Sequence, residues 1–510
     1  MLENYPDKAY IVEGFSKGFD LGYEGEQISL SSNNSLSVNN NIQVALDHIA
    51  EEAAKGRIAG PFASKPFQNF ICSPLALREK STPGKFRLLH NLSYPYNTDS
   101  VNFNIPERHT KLKYASIADA IQITQLYHNC FMAKSDIAEA FRLIPLSPDC
   151  YNLLGFKLEG KYYYDRCLPM GASSACKIFE KFSDSLKFIL KSIFKVKHVV
   201  KVIDDFLFIG KTYEECNYAL NSFRTMCKFI NVPIAEKKTV DPTHCLTFLG
   251  IQLDTLNDIA SIPRDKILSY KNVLLDDLKK EELSLKDFQS LIGKLQFSTV
   301  IITCGRCFLR RLYNGTIGKT SPHSRILITD CMKADLKIWL EFLESYNGKS
   351  IISPLPVASS QELHFYTDSS KSGYGGTFNK SYILGTFPTA WKALDIQFLE
   401  LYPIFLLVMT FSTNLKNSSL TFHCDNLAIV HIINNQTSKS LKIMSLLRPL
   451  VLELLKNNIN FKAMHIPGLQ NTLCDALSRQ QVSRSLLRQY GMDDDPTPVP
   501  WNLLPHNWRF

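Results

Sequence analysis

From Gly60 to about Thr255, short β-like runs alternate with amphipathic helices. Phe86–His90 and Tyr162–Tyr164 read as strands. Ala175, Phe179, Phe182, Leu186, Ile189 and Ile193 recur at three- and four-residue steps, which predicts a helix over 173–194. The mixture predicts an α+β unit. Residues 258–345 change character and read as helical, with apolar stripes over 265–280 and 284–299. A further helix over 305–312 gathers Arg306, Arg310 and Arg311, by default a solvated face. Pro354 and Pro356 suggest a linker at 351–360. After it, strands are predicted at 363–367, 381–387, 420–423 and 461–466, with helices at 398–413, 426–434 and 438–456. Gly373, Gly375 and Gly376 fit a tight turn. The ends are weaker. Residues 1–54 form a leader in which the Ser- and Asn-rich stretch 31–41 is expected to be loop or flexible. Residues 481–510, with Asp493-Asp494-Asp495 and several prolines, are expected to order only on contact. No internal repeat is visible.

Composition narrows the class. A chain of 510 residues is too long for one ordinary core, and 45% hydrophobic with 21% charged residues describes a globular protein. The net charge of +9 is compatible with a polyanionic partner without requiring one. No purely apolar run approaches the roughly 18 residues that span a bilayer, so no membrane role is expected. The longest candidate, 404–411, reads as a buried helix. The N-terminus lacks the charged-then-apolar order of a signal peptide. Thirteen cysteines, scattered singly, argue for free thiols in a reducing intracellular compartment, and charge does not separate nucleus from cytoplasm. Cys304 and Cys307 form a Cys-x-x-Cys without a second pair, which is read as helix packing.

Two sets of carboxylates carry the chemistry. Asp204-Asp205 interrupt an otherwise apolar run from Lys201 to Ile209, and Asp368 and Asp425 each sit at the end of a β-like run. Charges in a buried strand need a compensating cation, and a divalent metal is the usual one. An isolated Asp-Asp is more often a turn, so its company decides. Asp136 lies where a β-like run gives way to a helix. Arg87 sits in Gly84–Leu88, the run Leu168-Pro169-Met170-Gly171 follows, and Phe248-Leu249-Gly250-Ile251 comes last.

Taken together and in order, these segments resemble the reverse transcriptase family from about Gly60 to Thr255. The resemblance implies that Asp136, Asp204 and Asp205 bind two Mg²⁺ (or Mn²⁺) ions for nucleotidyl transfer. It implies that Arg87 contacts the triphosphate and that Met170 and Gly171 lie under the incoming nucleotide. Phe141 matches an aromatic that blocks a ribose 2′-hydroxyl, with a core phenylalanine as the plain alternative. Lys238 matches a pyrophosphate proton donor, with Lys237 equal on spacing and a surface lysine as the plain alternative for either. Val202 departs from the family, which carries tyrosine there. In a polymerase setting the Arg306–Arg311 cluster could equally grip phosphate.

Residues 361–480 resemble ribonuclease H. The resemblance implies that Asp368, Glu400, Asp425 and Asp475 bind a second pair of Mg²⁺ ions and activate water against RNA. His465 stands ten residues before Asp475 and is read as a structural strand-end residue. The implied fold is an α+β polymerase right hand of fingers, palm and helical thumb, followed by an α/β ribonuclease H-like domain with a mixed five-stranded sheet. Its divisions would be 1–54 leader, 55–255 fingers and palm, 256–350 thumb, 351–360 linker, 361–480 ribonuclease H-like and 481–510 tail.

Several stretches are most similar to DIRS-type retrotransposons. They are Leu89–Pro95 with Ser100–Asn102, Asp136–Pro145, Tyr163–Asp165, Gly305–Leu312 and Tyr10–Phe19. This implies an enzyme with RNA template, DNA primer, deoxynucleoside triphosphates and RNA–DNA hybrid as substrates, and a separately encoded tyrosine recombinase as a partner. The alternatives are a decayed or domesticated nucleic-acid-binding copy without turnover, or a pararetrovirus-like polymerase.

Overall fold

The computed structural model describes residues 1–79, 84–345, 350–351, 362–416, 418–457 and 459–507. The expected linker therefore lies, apart from Ile351, outside the described residues. The chain forms two compact units, residues 1–249 with 253–257, and residues 250–252 with 258–510.

The first unit holds strands β1 (Leu30–Ser31), β2 (Ile58–Phe62), β3 (Ile71–Cys72), β4 (Leu75–Glu79), β5 (Phe86–His90), β6 (Phe131–Asp136), β7 (Gly155–Leu158), β8 (Lys161–Asp165), β9 (His198–Val202), β10 (Asp205–Gly210) and β11 (Val240–Thr243). A five-stranded sheet has the order β1-β3-β7-β8-β2, a four-stranded sheet the order β11-β6-β10-β9, and β4 and β5 form a hairpin. The four-stranded sheet is the floor of the first site. Phe206, Phe208 and Phe223 pack beneath it with Phe179 and Phe182, all buried. The helix predicted over 173–194 spans Ala175–Ser192, and its apolar stripe faces this core. A second helix, Tyr213–Phe229, starts where the Thr212 hydroxyl accepts from the Glu215 amide.

The N-terminal leader is not a flexible appendage. Residues 8–17 and 42–54 are helical, and residues 36–39 form one helical turn inside the stretch expected to be loop. Leu30 and Ser31 pair in parallel with Ile71 and Cys72. Phe19, Leu21 and Val38 are fully buried, and their burial outweighs the polar composition around them.

The second unit begins with helices Arg264–Leu278, Leu285–Ser298 and Asp330–Ser345. The helix expected over 305–312 is two short pieces, a 3₁₀ turn at Thr303–Phe308 and a helix at Arg310–Gly315. Arg306 is exposed, whereas Arg311 pairs with the buried Asp335 at 3.0 Å. Arg448 approaches the same carboxylate at 3.4 Å. Cys307 donates its thiol to the Gln436 carbonyl, as packing rather than metal ligation.

A five-stranded sheet of this unit has the order Ser381–Thr386, Gly373–Phe378, Glu362–Ser369, Ser419–Cys424, Asn460–His465. The first three pair antiparallel and the last two join in parallel. The three glycines do not make a turn. They lie in the Gly373–Phe378 strand because a helix crosses it closely: a Cβ on Gly375 would stand 2.4 Å from Leu477 Cβ. The turn lies just before them, where the Ser370 hydroxyl accepts from the amides of Ser372 and Gly373.

Against expectation, one helical stretch, Ile396–Asn414, is long and apolar enough to cross a membrane by length and composition. Most of it is buried, because it is the central helix behind this sheet. The segment after Gln480 is also structured. Thr472–Ser478 and Arg484–Gln489 are both helical. The Thr497 amide bonds the Tyr382 carbonyl, and the buried Tyr402 hydroxyl donates to the Leu503 carbonyl.

Candidate active sites

The first centre is built by strand register. Asp205, at the start of β10, is the direct antiparallel partner of Asp136, at the end of β6. Val202 and Asp205 are partners across β9 and β10, which leaves Ile203-Asp204 as a two-residue turn. The Asp204 carbonyl accepts from the Ile137 amide at 3.1 Å, so the turn is tied to β6 as well. Three carboxylates thus meet at one end of the sheet.

Their charges are not independent. Burial, a hydrogen bond to Asp136 and the charges of Asp136 and Asp204 push Asp205 up to about 7. Burial alone would raise Asp136 too, but the bond from Asp205 and the Lys238 ammonium outweigh it and hold Asp136 low. Burial raises Asp204. Lys238 Nζ lies 2.5 Å from Asp136 Oδ2. Lys238 rather than Lys237 reaches the site because the Ala235 amide bonds the Asp136 carbonyl and anchors the following 3₁₀ turn, Glu236–Lys238. Three carboxylates beside one lysine form an oxygen-donor set suited to hard divalent cations.

The second centre sits where the central helix meets the mixed sheet. Pro403 has no amide proton, so the Leu399 carbonyl loses its helical partner, and the Ser369 hydroxyl donates to it at 2.8 Å. The strand bearing Asp368 is thereby pinned to the helix bearing Glu400. Ligand atoms of Glu400, Cys424 and Asp425 lie within 4.8 Å of one another. Burial, then the charges of Asp368 and Asp425, push Glu400 up to about 9. Asp368 is raised mainly by burial, against a 2.6 Å bond from the Ser478 hydroxyl. Asp475 lies mid-helix and half-exposed, its carboxylate taken by Arg479 Nε at 2.7 Å. This donor set also fits hard cations, with one thiol at its edge.

Comparison with known proteins follows the same division. Residues 80–253 match the family described as reverse transcriptase (RNA-dependent DNA polymerase). This segment is reverse-transcriptase-like. The chain is 23% identical over 383 residues to the putative enzymatic polyprotein of Cassava vein mosaic virus, covering 69% of this chain and 53% of that one. It is 23% identical over 201 residues to the Gag-Pro-Pol polyprotein of Human T-cell leukemia virus 2, covering 38% of this chain and 13% of that one. The chain thus spans about half the length of the first relative and far less of the second. Among solved structures it is similar to the foamy viral protease–reverse transcriptase in complex with dsDNA. The TM-score is 0.51 at 14% identity, over 87% of this chain and 86% of that one. The same viral protein in complex with RNA/DNA hybrid gives 0.51 at 15% identity, over 94% and 58%. These similarities carry the fold alone: a right hand of palm, fingers and thumb, together with a five-stranded mixed sheet.

The remaining predicted residues lie on several elements of the two units, and of them Arg87 acts on the first centre. Arg87 is exposed on the β4–β5 hairpin, directly opposite Arg78, and its charge acts on Asp204. Two arginines facing each other repel unless an anion joins them. Arg78 was not picked out from sequence, although its place in an alternating strand offered the signal. Phe141 is half-buried, its ring edge-on to Phe179 at 5.5 Å. Met170 is exposed. Gly171 is required by space, since a Cβ there would stand 1.7 Å from the His90 carbonyl oxygen. Asn102 clamps the same loop, donating to the Gly171 carbonyl and accepting from the Ser173 amide, each at 2.8 Å. His465 ends its strand and its Nε2 lies 3.1 Å from the Asp425 carbonyl. Sequence reading missed Ser478, Cys424 and the buried Glu180–Lys201 pair. Only Lys201 left a signal, as a lysine inside an apolar strand.

Proposed function

We propose that this chain is an RNA- and DNA-directed DNA polymerase with a second centre that cleaves the RNA strand of RNA–DNA hybrids. The reading rests on one observation above all. Asp136, Asp204, Asp205 and Lys238 converge at one end of the β6–β10 sheet, within the segment that matches reverse transcriptases.

Asp136, Asp204 and Asp205 would hold Mg²⁺ or Mn²⁺, two ions in this reading. Such ions lower the pKa of the attacking 3′-hydroxyl and neutralise charge on the departing pyrophosphate. The chain's own groups do the rest. Arg87 and Arg78 bind the triphosphate from the hairpin. Met170 and Gly171 give the incoming nucleotide an apolar seat, and Phe141 leaves no room for a 2′-hydroxyl. Lys238 donates a proton to the pyrophosphate. At the second centre Asp368, Glu400, Asp425 and Asp475 would hold the corresponding ions. Ser478 orients Asp368, and Arg479 holds Asp475 at the rim. Template RNA, DNA primer and the hybrid they form are the polymers, met through backbone contacts without base readout.

The DIRS-like stretches support a retrotransposon role, with a separately encoded tyrosine recombinase as partner. Thirteen free thiols support a reducing intracellular setting. A second reading, a pararetrovirus-like polymerase, is favoured by the match to the Cassava vein mosaic virus polyprotein across 69% of this chain. Genomic flanks separate the two, since a recombinase frame supports the first and a coat-protein frame the second. The decisive assay is Mg²⁺-dependent primer extension. Asp204→Asn with Asp205→Asn should abolish extension and spare hybrid cleavage. Extension that persists would overturn the assignment of the first centre.

A further inference from the structure

The two-residue turn that carries Asp204 has an unfavourable sequence. Ile203 has φ of 55°, a left-handed conformation that β-branched side chains resist and that hairpins normally give to Gly, Asn or Asp. A neighbour must hold it. Glu180, on the Ala175–Ser192 helix and almost completely buried, does so: its Oε2 accepts from the Ile203 amide at 2.9 Å. The other oxygen, Oε1, lies 2.8 Å from Lys201 Nζ. Lys201 is buried just as deeply and also donates to the Glu180 carbonyl at 3.0 Å and to the Ser183 hydroxyl at 2.8 Å. Asp184, half-exposed, lies 2.8 Å from the same ammonium.

A charged pair in this position is a poor way to gain stability, because taking both ions out of water costs as much as their attraction returns. What it supplies is direction. The carboxylate is fixed by its lysine and aimed at the one amide whose residue is strained. That amide precedes Asp204 directly, and Asp205 follows.

We propose that Glu180, locked by Lys201, is the positioning residue of the polymerase centre, holding the Ile203 turn so that Asp204 and Asp205 meet Asp136 in one metal-binding geometry. The proposal rests on the polymerase reading of that centre, and it goes beyond the carboxylates themselves. Both Glu180 carboxylate oxygens are engaged, one by the Ile203 amide and one by Lys201. Glu180 acts through the backbone of Ile203.

The test compares two double variants that both remove the buried charges. In Glu180→Gln with Lys201→Met the side-chain amide oxygen still accepts from Ile203. In Glu180→Leu with Lys201→Met nothing does. Three readouts apply to the full chain: amide hydrogen exchange at Ile203 and Asp204 without metal, Mn²⁺ binding by electron paramagnetic resonance, and primer extension. Mn²⁺ is titrated with Glu400→Gln and Asp425→Asn present, to silence the second centre. The leucine variant should exchange at Ile203 about tenfold faster, the scale of one lost buried hydrogen bond, bind Mn²⁺ more weakly by a similar factor and extend primers more slowly. The glutamine variant should stay within about twofold of the parent in all three. Equal exchange and equal Mn²⁺ binding in both variants would overturn the proposal. So would a fall in thermal midpoint and hybrid cleavage common to both, which would make the pair a fold element only. A parent chain that extends no primer would instead sink the polymerase reading, and exchange with Mn²⁺ binding would still decide the role of Glu180.

Discussion

Asp136 and Asp205 are direct cross-strand partners, and their carboxyls are driven apart in acidity, Asp136 held low and Asp205 pushed up. That pairing gives the first centre its pH dependence. Asp205 keeps its proton up to about pH 7 in the folded chain, whereas a free aspartate loses it near about 3.9. The folded state therefore binds a proton that the unfolded chain releases, and this group's contribution to stability falls as pH rises from about 4 to about 7. Thermal melts of metal-free protein across that range should show a decline that Asp205→Asn reduces. Mg²⁺ should bind more tightly as pH rises through 7, releasing a proton measurable by calorimetry in buffers of different ionisation enthalpy.

Glu400 is the corresponding group of the second centre, pushed up to about 9. Glu400→Gln should lower hybrid cleavage by at least about a hundredfold, the scale of losing a key electrostatic group, while primer extension on the same preparation stays intact. Because the parent carries a proton there at neutral pH, the glutamine should not lower the melting temperature of the metal-free protein at pH 7. A lower one would show that Glu400 is ionised and stabilising.

Gly171 has no room for a methyl group against the His90 carbonyl. Gly171→Ala must shift the loop that Asn102 holds, and displacements near one ångström at a reacting centre cost up to about a hundredfold in rate. Steady-state extension should fall mainly in kcat, with hybrid cleavage unchanged. Unchanged extension would remove the Leu168–Gly171 loop from the nucleotide site.

The C-terminal segment is part of the second unit's core. A chain ending at Gln480 loses the Tyr402–Leu503 and Tyr382–Thr497 hydrogen bonds and the buried Leu487. Limited proteolysis should then cut within residues 362–480 much faster than in the full chain, and hybrid cleavage should disappear. Equal protection would make the segment dispensable.

Several elements and the candidate carboxylates leave local marks in the sequence. Apolar steps of three and four mark the 175–192 helix, Asp204 and Asp205 interrupt an apolar run, and Asp136, Asp368 and Asp425 end β-like runs. Glu400 and Asp475 needed the family resemblance as well. Polar composition misleads at both ends, where Phe19, Val38 and Leu503 are nonetheless buried, with Phe19 paired to Pro145 and Leu503 to Tyr402 through hydrogen bonds. The glycine-rich strand reads as a turn in the sequence, since glycine permits either and only the crossing helix decides. The choice of Lys238 over Lys237, the pinning of Asp368 to the Glu400 helix through Ser369, and the Glu180 grip on Ile203 belong to tertiary structure alone. Each joins residues more than twenty positions apart in sequence, and no local pattern records which of them will meet.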